Sequence, residues 1–338
     1  MTLALIAFLA AALQSAQPTA APLDVSPPLR LSAAAFGGRA AVEVHGLDPG
    51  AARTAAIAAL DTIRELDALT DPSGSAPGGI GDLNRAAPRS VVKLQPRVIQ
   101  LLARALTFCD WSSGAHGPLG GRLYELWGLR SPAPGLPPAD RLEAARTAAG
   151  CANLRLDAAS SSASLEVGSR VDAWGFAAGF AVDEAVAVMR ASGARNGWAE
   201  AGAAQRGFGA GPSGSGWPVT LPATPGSKEP GPTVLLVDRS LAVADAGAPR
   251  LRVGGEERAP FIDQRSGRPP DGILFTAAST ELAVDAQALA VAAFVMGSRE
   301  GQFRAGNLRP RPALYWAAGG GNAEPMVISY GWSALPRP

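Results

Sequence analysis

Cysteine and histidine are scarce in this chain, two of each in 338 residues. His45 and His116 lie far apart and show no metal-ligand spacing, so zinc and haem centres have no ligand set. Cys109 and Cys151 leave two readings open, a disulfide in an oxidising compartment or a pair of buried thiols. An excess of charge is missing as well. Thirty Lys+Arg against 29 Asp+Glu leave a net charge of +1, which argues against nucleic acid and anionic membrane surfaces as partners. Arg299, Arg304, Arg309 and Arg311 are scattered and read as a solvated face. No apolar run approaches the roughly 20 residues that a membrane-spanning helix needs, so no transmembrane anchor is expected. Gly-x-Ser-x-Gly does not occur, and the nearest run, Gly211-Pro212-Ser213-Gly214-Ser215, breaks the spacing of a nucleophile elbow. Gly207-Phe208-Gly209-Ala210-Gly211 opens no convincing helix, which argues against a Rossmann phosphate loop. No internal repeat is found.

What the chain does have is a composition of 47% hydrophobic and 17% charged residues with 40 Gly and 29 Pro, that of a loop-rich globular protein. A chain this long hides roughly 75% of its unfolded surface, in one large domain or two intimately packed lobes. The short apolar run Leu3 to Leu13, followed by Gln14-Ser15-Ala16 and a Pro/Ala stretch, has the form of a signal-peptide h-region and cleavage zone. Residues 1–22 are therefore expected to be a signal peptide and 23–338 the mature domain, exported and periplasmic. No Lys or Arg precedes Arg30, and no Cys follows the run to carry a lipid anchor.

Hydrophobic spacing gives the elements. Small and β-branched residues from Ala34 to His45 predict a strand before a Gly-Leu-Asp-Pro-Gly turn. Ile57, Leu60, Ile63, Leu66 and Leu69 recur every three residues, predicting a helix near 50–69 that Pro72 ends, with a Gly-rich loop at 73–82. Pro96 opens a second helix running to about Trp111. A loop at 112–118, a helical stretch carrying Leu123, Leu126 and Trp127, and a Pro-rich link at 132–138 follow. Segments 154–157 and 164–167 alternate as a hairpin, helices are expected at 175–191 and 282–296, and strands at 233–237 and 272–276. Segregated strands and helices favour α+β.

Several segments stand, in order, where the motifs of one known family fall. Phe36-Gly37-Gly38 stands where the family has Met-Gly-Thr, and Gly114-Ala115-His116-Gly117-Pro118 where it has Gly-Ala-Phe-Asp-Pro. Gly78 to Asn84 keeps the hydrophobic frame and the Asn of a Ser-Glu-Leu-Ser-x-Leu-Asn segment. Asp172-Ala173-Trp174-Gly175-Phe176-Ala177-Ala178-Gly179-Phe180-Ala181-Val182-Asp183 resembles Asp-Leu-Gly-Ala-Ile-Ala-Lys-Gly-Tyr-Ala-Val-Asp. Gly202-Ala203-Ala204 stands for Gly-Gly-Asp, and Ala242 to Gly247 for Ala-Val-Ala-Thr-Ser-Gly. Pro260 to Pro269 resembles His-Ile-Ile-Asp-Pro-x-Thr-Gly-x-Pro, and Val284 to Leu289 stands where Ala-Asp-Ala-Leu-Ala-Thr is usual. Taken together these segments are similar to the FAD:protein FMN transferase family, often called ApbE, and the likeness covers roughly Ala34 to Trp316.

The resemblance implies a single large α+β domain, T-fold-like, of mixed sheets and packed helices. It also implies transfer of FMN from FAD to a Ser or Thr of an acceptor protein. That reaction attacks a pyrophosphate phosphorus and calls for Mg²⁺ and charge-neutralising donors. Carried over residue by residue, flavin contacts fall at Phe36, Ala115, His116, Gly117, Asp172, Ala178 and Ile262, with Asp172 and Asp285 as catalytic groups. The metal falls between the Gly175 carbonyl, the Asp285 carboxylate and position 289, where Leu289 has no ligating atom; Asp183 and Asp263 are substitutes. An Asp at the head of an apolar helix is equally a helix cap. The departures run one way: Lys to Ala178, Thr to Leu289, His to Pro260 and Gly-Gly-Asp to Gly202-Ala203-Ala204 each remove a polar group. Each such loss is worth on the order of 10²–10³ in rate. Three readings follow: a divergent transferase, a catalytically silent flavin binder, or a scaffold that has given up the ligand.

Overall fold

The computed structural model describes residues 28–129, 136–224, 227, 229–245, 251–253, 256–319 and 325–338. The expected signal peptide lies outside the described residues, and the Pro-rich link lies partly outside them. Among the described residues no helix is long and apolar enough to cross a membrane.

Asp48 starts the first helix, α1 (Pro49–Thr70). Its carboxylate accepts from the amides of Gly50 and Ala51 at 3.0 and 3.1 Å, and Pro49 occupies the first turn, where no N–H is missed. Asp71 ends it in an extended conformation, as a residue before proline must. Then come α2 (Ile80–Arg85), which begins within the last three residues of the expected Gly-rich loop, α3 (Pro96–Trp111), α4 (Gly121–Leu126), α5 (Ala139–Ala148), α6 (Ala177–Ala191) and α7 (Ala283–Ala305). The spacing of apolar residues located α3 and α6 within two residues. It ended α7 at Met296 because Gly297, at φ 72°, breaks the helix there before a further stretch resumes.

An eight-stranded sheet is the backbone of the fold. Its strands run in the order Leu29–Ala35, Gly38–His45, Asn196–Ala201, Ala204–Phe208, Arg239–Asp245, Ile273–Thr280, Ala313–Ala318, Met326–Tyr330, each antiparallel to its neighbour. The single strand expected at 34–45 is instead the second arm of a hairpin. Phe36 and Gly37, at φ 53° and 70°, turn the chain, and Ala35 pairs with Gly38. α1, α6 and α7 cover one face of the sheet. Their contacts are made by alanine, which lets helix axes approach closely: Ala52, Ala56 and Ala59 on α1, Ala181 and Ala185 on α6, Ala286 and Ala290 on α7 are buried. Gly179 marks the tightest point, since a Cβ there would lie 2.4 Å from the Ala283 carbonyl oxygen. The other face carries a second core of Trp198, Trp217, Phe275, Tyr315 and Trp332, closed by the hairpin Trp217–Thr220 with Thr233–Leu236. A third core of Leu123, Tyr124, Trp127, Leu142 and Ile262 holds α4 and α5. Thus the α+β architecture is one domain with antiparallel sheets, and Cys109 and Cys151 are joined in a disulfide.

Candidate functional site

A cleft of about 570 Å³ opens where the helix layer meets the ends of the sheet strands, with Ala242 to Asp245 among its lining. Its walls are the Phe36-Gly37 turn, the C-terminal end of α1, the segment from Asp172 to Ala178 that leads into α6, the Gly202-Ala203 turn, and α7. Phe36 sits at the mouth with a left-handed backbone that costs an L-residue about 1–2 kcal/mol. The hairpin register on both sides holds it there and presents its ring to the opening.

The Asp172 carboxylate is buried in the wall and accepts from the Trp174 amide at 3.0 Å, while the Asp172 amide donates to the Pro118 carbonyl at 2.8 Å. This pair of bonds fixes the turn that carries Trp174, whose indole is 37% exposed on the cleft. Phe261 supports the indole at 5.3 Å between ring centres, and Tyr124 meets it edge-on at 6.2 Å. Ala178, in the first turn of α6, faces the Gly202 turn so closely that a Cβ on Gly202 would lie 3.2 Å from its own. Where the resembled run has a lysine, this wall carries a methyl group.

The second half of the expected flavin set lies behind this wall. Ala115, His116 and Ile262 are buried, and Gly117 packs on Cys109, where a Cβ would come within 2.4 Å of the sulfur. None of the four lines the cleft. The His116 ring stacks on Phe176 at 4.5 Å and 4° and fills the space beneath Gly175, where a Cβ would lie 2.4 Å from the imidazole. At 1% exposure, with both ring nitrogens unpartnered, His116 is held neutral: burial pushes its pKa down to about 3, opposed in part by the Gly175 backbone. It is a packing residue here and offers no donor to a ligand in the cleft. Gly175 itself does line the cleft, because its missing side chain has been replaced from behind by this ring.

The structure does not bring Asp285 or Leu289 to the cleft either. Both oxygens of Asp285 are taken by Arg104 of α3, with Nε to Oδ1 at 2.6 Å and Nη2 to Oδ2 at 2.5 Å, a bidentate pair that raises the Arg104 pKa further. Leu289 is buried in the main core. Asp183 is likewise committed: it caps α7 through the Ala283 and Val284 amides at 2.9 and 3.0 Å and pairs with Arg206 at 2.6 Å. Asp263 holds Arg265. The residues of α7 that face the cleft are Gln287, Ala290 and Val291. Gln287 and Val291 have the same four-residue spacing as Asp285 and Leu289 but lie two residues on, about 200° around the helix. The six-residue run that led to Asp285 fits better in this shifted register. Ala286-Gln287-Ala288-Leu289-Ala290-Val291 matches Ala-Asp-Ala-Leu-Ala-Thr at four of six positions, against three for Val284 to Leu289.

Gln287 is 6% exposed, and both ends of its carboxamide are engaged. Its Oε1 accepts from the Gly179 amide at 2.7 Å and its Nε2 donates to the Trp174 carbonyl at 3.2 Å. These groups do not fit Mg²⁺. The carboxylate and hydroxyl that the resembled run offers at these positions are an amide and an isopropyl group, and an N–H already sits on the carbonyl oxygen beside them. Among the described residues no cluster of three His, Cys, Asp or Glu side chains is arranged to hold a metal ion. Sequence reading missed Gln287, Val291 and the exposed face of Trp174; the signal for the first two was the better-matching register.

Comparison with known proteins gives the fold its relatives. The chain superposes on a flavinyl transferase ApbE of Pseudomonas stutzeri in its apo form, with a TM-score of 0.80 at 20% identity, over 91% of this chain and 96% of that one. It superposes on an ApbE protein of Thermotoga maritima with a TM-score of 0.81 at 22% identity, over 92% and 100% of the two chains. The flavin transferase ApbE of Vibrio cholerae follows, with a TM-score of 0.78 at 18% identity over 91% and 99%. No curated protein matches. The ApbE family model matches residues 36–313, from the turn at the cleft mouth to the seventh strand of the sheet, and this chain belongs to the ApbE family.

Proposed function

We propose that this chain acts as a flavin transferase of the FAD:protein FMN type, holding FAD with its ring system in the cleft and passing FMN to a Ser or Thr hydroxyl of an acceptor protein. One observation carries the proposal: a cleft of about 570 Å³ persists in which Phe36, Asp172, Gly175 and Ala178, four of the positions to which the family resemblance assigns ligand or metal contacts, converge from two segments far apart in sequence. In the reaction the acceptor oxygen bonds to the FMN phosphorus, the bond from that phosphorus to the bridging oxygen breaks, and AMP leaves. The chain's own groups supply binding and orientation. Trp174 and Phe36 offer faces for a planar ring, and the buried Asp172 carboxylate is an acceptor for ring or ribityl donors. Export to an oxidising compartment belongs to the same proposal and is supported by the Cys109–Cys151 bond.

One observation favours a second reading, a catalytically silent flavin binder: the cleft lacks the lysine, the carboxylate on α7 and the threonine of the resembled runs. Incubation with FAD and a Ser/Thr-containing acceptor, read by mass spectrometry, separates the two. A covalent gain of FMN mass on the acceptor supports transfer. Saturable FAD binding with no mass gain supports the silent binder, and no FAD binding overturns both.

A further inference from the structure

We infer that Gln287 takes the place of a divalent cation in this cleft, so that the chain engages its ligand without a metal. The inference rests on the reading of the cleft as a flavin site, but its chemistry is that of α7 and the turn before α6. The resemblance would hold a cation between the Gly175 carbonyl and an anionic oxygen from α7. The Gln287 Nε2 donates at 3.2 Å to the carbonyl of Trp174, the residue before Gly175, so an N–H with partial positive charge takes the α7 position from which an anionic oxygen would be offered. The orientation of the amide is fixed by its other end. Oε1 accepts from the Gly179 N–H at 2.7 Å, and a flipped amide would set N–H against N–H there and oxygen against oxygen at Trp174. The carboxamide therefore ties the Trp174 turn to the first turn of α6 and to α7, a joint that a bridging ion would otherwise make. Val291, one turn along, lines the same cleft with methyl groups and brings no ligating atom.

The joint is built to stay. Gly179 is in contact with Ala283 and allows no side chain, so α6 and α7 meet at one distance and the Gln287 amide spans it. Substituting Gln287→Glu keeps length and shape but replaces the donor by a carboxylate oxygen facing the Trp174 carbonyl. That repulsion is relieved by a cation or a proton.

The purified chain is melted, and titrated with FAD, in EDTA and in Mg²⁺ or Mn²⁺. Expected for the wild-type chain is one melting temperature in both conditions and an FAD affinity changed by less than about two-fold. Gln287→Glu is expected to melt lower in EDTA and to recover with Mn²⁺ or Mg²⁺. Gln287→Ala, which removes both bonds and supplies no ligand, is expected to lose stability with no metal response. A metal-dependent rise in the wild-type melting temperature, or a gain of about ten-fold or more in FAD affinity with metal, overturns the inference. A metal response in Gln287→Ala overturns it as well. The wild-type comparison decides even where Gln287→Glu does not fold. Melting with metal alone needs no flavin, so a failure of the flavin reading shows separately, as the absence of any FAD isotherm.

Discussion

The front and the back of the cleft wall are built on opposite principles. Behind it every space is filled: His116 lies flat on Phe176, Gly117 rests on the Cys109 sulfur, and the disulfide to Cys151 anchors the end of α3. In front, small and apolar side chains such as Ala178, Ala203 and Val291 keep the shape, Asp172 and Gln287 supply polar groups from the turn before α6 and from α7, and Arg64, Asp67, Thr70, Asp71 and Asp245 line the same opening from α1 and the fifth strand of the sheet. The lesson is that scaffold and chemistry are separable in this fold. The back determines whether the cleft exists, and the front determines what it does.

The largest expected effect breaks the back. Replacing Cys109 and Cys151 by serine opens a crosslink spanning 42 residues, a loss of about 4 kcal/mol by loop entropy. Denaturant unfolding should show the loss, while FAD affinity, measured where the variant is still folded, stays near the wild-type value.

Next comes acid. The folded chain holds the His116 imidazole neutral with a pKa of about 3, against 6.5 for the free side chain. Between those values the unfolded chain binds the proton first. The stabilisation is fully present above pH 6.5 and is lost as pH falls toward 3, by at most roughly 5 kcal/mol. His116→Phe keeps the stack on Phe176 and has no proton to bind, so its stability against pH should flatten across that window. An unchanged acid limb would place the titrating group elsewhere.

A smaller effect sharpens the contrast between the two faces of α7. Asp285→Ala leaves the half-exposed Arg104 without its partner and should cost about 1–2 kcal/mol in stability. It should leave FAD binding unchanged, because Asp285 faces α3 and not the cleft. Smallest is Trp174→Ala, which removes an exposed ring from the wall and should weaken FAD binding by about 1 kcal/mol, or about five-fold, with little change in melting temperature.

Much of the scaffold was legible in sequence because it is written in local patterns. Pro49, the three-residue apolar spacing and Pro72 bound α1, and Pro96 opens α3. The central strands were not legible. Asn196–Ala201, Ala204–Phe208 and Ala313–Ala318 are short and rich in small residues, and their identity comes from neighbours far away in sequence. Phe36 read as part of a strand because only pairing across the turn reveals its positive φ. At the site, the resemblance pointed to the Asp172 to Ala178 segment, of which Asp172, Gly175 and Ala178 line the cleft, and Gly175 and Gly179 are both required by close neighbours. On α7 the alanine-rich run slides by two residues with little penalty, and two residues exchange one helix face for the opposite one. Asp285 drew the assignment because it is the acidic residue of that run, while its actual partner, Arg104, is 181 residues away in sequence.

FAD titration of the purified chain in EDTA, followed by calorimetry, tests the central claim most directly. The account predicts saturable binding at one site per chain without metal, weakened by Trp174→Ala. An isotherm that appears only with Mg²⁺, or none under either condition, would contradict it.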